Sequence, residues 1–157
     1  MSSYIDKIEE NLKQKIGVLE KAYESDVRFE QSIDVSDGAL EQYDEYLEEQ
    51  NSYLSMLDDL DTEYDRLYDL LSSHKEEVAT ADPSVKIRVN SLINEVEGKL
   101  QAVREAEGRV KDAVEIYFKN RKSKIAVSRR NTRVIQSNYG ARPSLANADN
   151  SMFDVSH

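Results

Sequence analysis

Val89-Asn90-Ser91-Leu92-Ile93-Asn94-Glu95-Val96 decides how this chain is read, because its valine returns seven residues on, at Val103 and again at Val110, before Tyr117 takes the next place. A seven-residue spacing held over successive repeats brings one edge of a helix back to the same side, the signature of a coiled-coil-like seam. Leu92, Ala106 and Ala113 read as its companion positions. Valine and alanine are small, so a neighbouring helix can approach closely. Asp82-Pro83 supplies the start: aspartate caps, and proline stands at the first helical position, where a missing N–H costs nothing. The spacing predicts a helix over 83–127, about 66 Å long at 1.5 Å per residue.

Working back from Asp82, a second periodic stretch is expected over 39–77. Leu40, Tyr43, Leu47, Leu54, Leu57, Leu60, Tyr64, Leu67 and Leu71 form its stripe, and Gln50 interrupts it. Acidic residues fill its other faces. A third is expected over 4–32, with Ile5, Ile8, Leu12, Ile16, Leu19, Tyr23 and Val27 on one side. Asp34-Val35-Ser36-Asp37-Gly38 separates the two with cap and turn residues. Beyond Arg133 the pattern stops, and the Asn/Ser/Asp-rich end cannot bury a core. The expectation is all-α: an elongated antiparallel three-helix bundle or coiled coil over 1–127, its third helix overhanging, then a basic and finally disordered tail over 128–157.

Composition supports that class and excludes others. Charged residues are 33% of the chain and hydrophobic ones 39%, too little apolar surface for a compact enzyme-sized core. Only 5 Gly and 2 Pro leave few sites for the tight turns of a sandwich or a doubly wound sheet. There is no Cys, hence no disulfide or thiolate chemistry, and His74 and His157 are too few for most zinc sites. Met1-Ser2-Ser3-Tyr4-Ile5-Asp6 enters an amphipathic pattern with no signal-peptide apolar core. No apolar run approaches the roughly 20 residues that span a bilayer. A cytoplasmic protein without membrane insertion is expected.

Charge is unevenly placed. Residues 1–118 hold 13 basic and 29 acidic side chains, whereas 119–157 hold 8 basic and 2 acidic. The bulk would repel nucleic acid and anionic lipid. Lys119, Arg121, Lys122, Lys124, Arg129, Arg130 and Arg133 form a basic segment that could complement a helix end, fold back on the chain's own acidic stretch, or bind a polyanion.

No constellation of catalytic type is found. Asp59, Asp61, Glu63 and Asp65 alternate like calcium-loop ligands, but Tyr64 stands where the turn glycine belongs and Leu70 where the bidentate glutamate belongs. They read as a solvated acidic face. Neither histidine has a glutamate three residues before it, as a di-metal carboxylate bundle requires. No phosphate loop or nucleophile elbow occurs. The reading is a non-enzyme with no metal, cofactor or small-molecule substrate. Its apolar stripes are core, with room for a groove that takes a partner's amphipathic helix.

The order of these features resembles the FlgN/FliT-type flagellar export chaperones. The resemblance is carried by the opening helix with Ile5, Ile8, Leu12 and Leu19, then Leu47-Glu48-Glu49-Gln50, Leu54, Leu57, Leu60-Asp61 and Tyr64. Gln50 stands where lysine is common in that family, and Tyr64 where phenylalanine is. It implies a small cytoplasmic chaperone of the flagellar type III export system. Such a protein binds C-terminal helical segments of late export substrates, the hook-associated or filament cap proteins, prevents their premature assembly and brings them to its second partner, the export apparatus. On this resemblance the client would lie against Leu54, Leu57, Tyr64, Val96, Val103 and Val110, with the protein a monomer or weak homodimer. The FliT branch further implies that the C-terminal segment can cover the binding surface. Here residues 119–133 would then face acidic residues such as Glu48, Asp58 and Asp65. The competing expectation is a structural homo-oligomeric coiled-coil adaptor whose valine seam pairs with another copy; a helical regulator using its basic tail on DNA or membrane is a third.

Overall fold

The computed structural model describes residues 3–33, 39–120 and Phe153, without the side chains of Ala39 and Leu40. It contains four α-helices, α1 (Tyr4–Ser32), α2 (Ala39–Ser72), α3 (Lys75–Thr80) and α4 (Pro83–Asn120), and the described residues include no strand. The class is all-α.

Local chemistry sets the helix ends. At the start of α1 the Ser3 hydroxyl accepts from the Asp6 N–H at 3.1 Å, and the Asp6 carboxylate accepts from the Ser3 N–H at 3.4 Å. That reciprocal box satisfies two donors a helix start otherwise leaves open. Pro83 opens α4, and the Asp82 carboxylate accepts from the Ser84 N–H at 2.9 Å. The expected turn at 34–38 lies outside the described residues, as does the expected stretch 121–127 of the last helix.

One helix boundary differs from expectation. The stretch read as one helix to Glu77 breaks after Ser72, and a separate short helix α3 follows. The Ser72 and Ser73 hydroxyls donate to the Tyr68 and Asp69 carbonyls at 3.0 and 3.3 Å, and His74 leaves helical geometry at φ −126°, ψ 57°. Paired serines offer the backbone local partners that compete with helix continuation.

α1 is the axis of the assembly, packing along both α2 and α4. Three ion pairs fix its register against α4: Glu9–Arg88 at 3.0 Å, Glu20–Lys99 at 3.8 Å and Glu30–Arg109 at 3.2 Å. The first and last join residues 79 apart in sequence, and so does the middle one. A constant offset means that α1 and α4 run in the same direction. Against α2 the pairing runs the other way: Asn11 donates to the Leu60 carbonyl, Gln50 to the Ala22 carbonyl, and the Phe29 ring lies tilted against Tyr43.

The α1 seam is Ile5, Ile8, Leu12, Lys15, Leu19, Ala22, Asp26, Phe29 and Ile33, alternating steps of three and four, and every member is buried. This corrects the expected stripe, since Tyr23 is exposed and Val27 half-buried. On α4 the second seam is Ile93, Leu100, Glu107 and Val114; of the expected companions only Ala106 is buried. Heptad knobs follow one another by steps of three or four, and burial here falls on the four-residue step from Val89, at Ile93, with Leu92 half-buried beside it.

The apolar interior is divided. The larger cluster contains Leu12, Leu19, Leu57, Leu67, Val89 and Val96 among others, and the smaller is aromatic: Phe29, Tyr43, Tyr46, Tyr117 and Phe118 with Ile33, Leu47, Val110 and Val114. Between them lie buried Ser25, Asp26, Gln50 and Glu107.

Candidate functional site

The six residues expected to line a client groove come from α2 (Leu54, Leu57, Tyr64) and α4 (Val96, Val103, Val110). All six are buried, none more than 3% exposed. Five belong to the larger cluster and Val110 to the smaller. They are brought to one interior but do not form an open groove. The open depressions lie between α1 and α2 instead. One, of about 420 Å³, is bordered by Gly17, Val18, Lys21, Met56 and Leu60; another, of about 290 Å³, by Arg28, Phe29, Tyr46 and Glu49.

Phe153 is the exception to the expected disordered tail. It lies 33 residues beyond the end of α4 in sequence, yet is 1% exposed and belongs to the larger apolar cluster. Its ring meets Tyr68 edge-on at 5.9 Å between centroids, a favoured aromatic geometry. The rest of 128–157 lies outside the described residues. So do Arg121, Lys122, Lys124, Arg129, Arg130 and Arg133. Lys119 is exposed in the last turn of α4, where a cation complements the helix dipole. Of the acidic residues proposed to face this segment, Glu48 and Asp65 are exposed and Asp58 half-buried.

Two buried polar layers were missing from the sequence reading. In the first, Lys15 of α1 places its ammonium 3.7 Å from Asp61 of α2 and 4.2 Å from the centre of the Tyr64 ring. Both charged side chains are fully buried. Burial pushes the Lys15 ammonium down to about 8, while Asp61 and Asp65 pull it up. Asp61 therefore leaves the solvated acidic face to which it was assigned, whereas Asp59 and Asp65 stay on it and Glu63 is half-buried.

In the second layer the Tyr46 hydroxyl of α2 donates to Oδ1 of Asp26 on α1 in a very short contact. Burial pushes the Asp26 carboxyl up to about 8; the Tyr46 bond works against that rise and the neighbouring charge of Glu107 adds to it. The Tyr46 phenol is itself held well above its ordinary value by burial and by Asp26. Gln50 closes the layer with its amide donating to the Ala22 carbonyl at 3.2 Å.

Set beside protein-family models, curated proteins and solved structures, the chain matches none of them. Its reading therefore rests on its own geometry. Among the described residues no group of three or more His, Cys, Asp or Glu could hold a metal ion, and no helix is long and apolar enough to cross a membrane. The described arrangement is one of packed helices. It takes apolar side chains into helix interfaces, and it holds one cationic and one acidic layer inside them.

Proposed function

We propose that this protein is a cytoplasmic chaperone of the flagellar export type. In this reading it is an antiparallel three-helix bundle that binds C-terminal helical segments of late export substrates and keeps them from assembling early. The observation that carries the reading is Phe153: a side chain from a segment far from the helices in sequence completes their apolar cluster beside Tyr68. An interior that takes up one aromatic anchor from a distant segment suits a protein whose task is to hold such segments. A client's terminal helix would bring apolar anchors of the same kind, and the tail would compete for the same place. Ordering that helix costs part of the interaction energy, which keeps affinity moderate and release possible.

The six groove residues enter this mechanism only if the client parts the helices, because all six are buried in the free chain. The α1–α2 depression bordered by Met56 and Val18 offers an open first contact, and methionine adapts to varied apolar partners. The structural-adaptor reading needs the valine seam for a second copy. Val89, Val96, Val103 and Val110 are already buried within one chain, so a second copy, like a client, would have to part the helices to reach them.

The test is calorimetric titration with C-terminal segments of hook-associated, cap and flagellin proteins. Saturable one-to-one binding to one segment, with a negative heat-capacity change and tighter binding after Phe153→Ala, supports the reading. Absence of binding to every segment, together with tight self-association, would transfer the protein to the adaptor class.

A further inference from the structure

Three helices meet at the layer between the two apolar clusters. α1 contributes Asp26 with Glu30 one turn on, α2 contributes Tyr46 and Gln50 with Tyr43 adjacent, and α4 contributes Glu107 and Arg109. Asp26, Gln50 and Glu107 are all buried at positions where the heptad elsewhere places aliphatic residues or, on α2, leucine and tyrosine. Oδ2 of Asp26 and Oε1 of Gln50 have no hydrogen-bond partner among the described residues. The layer thus interrupts the apolar contact that would otherwise join the ends of the bundle, and it holds an acidic group that is easily tolerated only while neutral.

We propose that this layer is a pH-sensitive latch: loss of the Asp26 proton to solvent releases the aromatic end, built on Phe29, Tyr43, Tyr117 and Phe118, as one unit while the larger cluster stays closed.

Each part of the proposal has its own observation. The end can open as a unit because its nine buried members pack as a cluster separate from the other. Proteins open in such contiguous units, with free energies below that of global unfolding. The direction with pH follows from proton binding. Asp26 keeps its proton to about pH 8 in the closed form, whereas an exposed aspartate gives it up near 4. Between those limits the closed form holds one proton more, so opening is favoured as pH rises, by up to about tenfold per unit. Lys15 does not confuse this window. Its closed-form value near 8 lies below its exposed one, so its own proton difference appears only at higher pH. The Glu30–Arg109 pair lies on the rim, at 3.2 Å and partly exposed, where it is screened.

The experiment is amide hydrogen exchange by mass spectrometry on the full chain between about pH 5.5 and 7.5, corrected for intrinsic exchange rates. Segments 43–50 and 107–118 report the aromatic end; 8–19 and 89–100 report the larger cluster. The expected result is a larger opening constant at the aromatic end that climbs towards tenfold per pH unit, no such climb in the other segments, and a flat profile throughout in Asp26→Asn. The wild-type comparison stands by itself should that variant not fold. Equal opening constants in both regions at every pH, an aromatic end insensitive to pH, or a slope that survives Asp26→Asn would each overturn the proposal.

Discussion

Replacing Lys15 and Asp61 together, as Lys15→Met with Asp61→Leu, should leave the protein as stable as before or more so, whereas either change alone should harm it. The ammonium is pushed from 10.5 to about 8 with Asp61 already beside it, so the pair does not recover the cost of burying the lysine. At about 1.4 kcal/mol per pH unit, the charged form is disfavoured by roughly 3 kcal/mol. Asp61→Leu alone strands the ammonium, and Lys15→Met alone strands the carboxylate; removing one partner of a buried pair costs about 3–5 kcal/mol. Methionine follows the path of the lysine stem, and leucine joins Leu57 and Tyr64 at the same interface. The assay is urea unfolding followed by helical circular dichroism, with the four proteins treated as a double-mutant cycle. The pH sign is fixed. Because the folded value lies below the unfolded one, the penalty on wild type is complete below about pH 8 and fades as pH approaches 10.5. The double variant's advantage should shrink over that range. A double variant less stable than wild type by more than about 1 kcal/mol, or single losses that simply add, would refute the reasoning.

Gly98 lies exposed inside α4, and a Cβ built there meets nothing within 4 Å, so Gly98→Ala should stabilise by about 1 kcal/mol in the same urea assay. Leu57→Ala should cost about 3–4 kcal/mol, since Leu57 is fully buried in the larger cluster; a loss below about 1 kcal/mol would place it at an open surface. Phe153→Ala should alter near-ultraviolet dichroism through Tyr68 and lower the melting temperature, whereas Met152→Ala, read beside it, serves as the neighbouring control.

The helical class was legible because period and punctuation agree: the valines of α4 fall every seven residues, and Asp82-Pro83 marks their start. The buried polar layers were harder to see. A charged residue in a hydrophobic stripe is ordinarily assigned to solvent, and that assignment moved part of the α1 stripe to Tyr23 and Val27. The signal was present in the unbroken three-four spacing from Ile5 to Ile33, which passes through Lys15 and Asp26. Following the spacing rather than the polarity would have placed both inside. Asp61 was hidden for a related reason, because four alternating acids invite one common reading although a helix turns residues two apart to different sides. Nothing local to Phe153 marks it as an anchor, since an aromatic residue amid serine, aspartate and methionine has no periodicity to announce burial.

The constant offset of 79 residues between α1 and α4 also sets the order in which the chain can fold as it is made. α1 can close against α2 once the first 72 residues have left the ribosome, yet its other side finds its partners only when α4 has been synthesised. From Ser72 to Arg109, at roughly 5–20 residues per second, that interval is about 2–7 s. For that time the nascent helical hairpin shows water the apolar side that α4 will cover. Its exposure to aggregation and to other chaperones is thus set by translation speed across residues 73–109 more than by the stability of the finished protein.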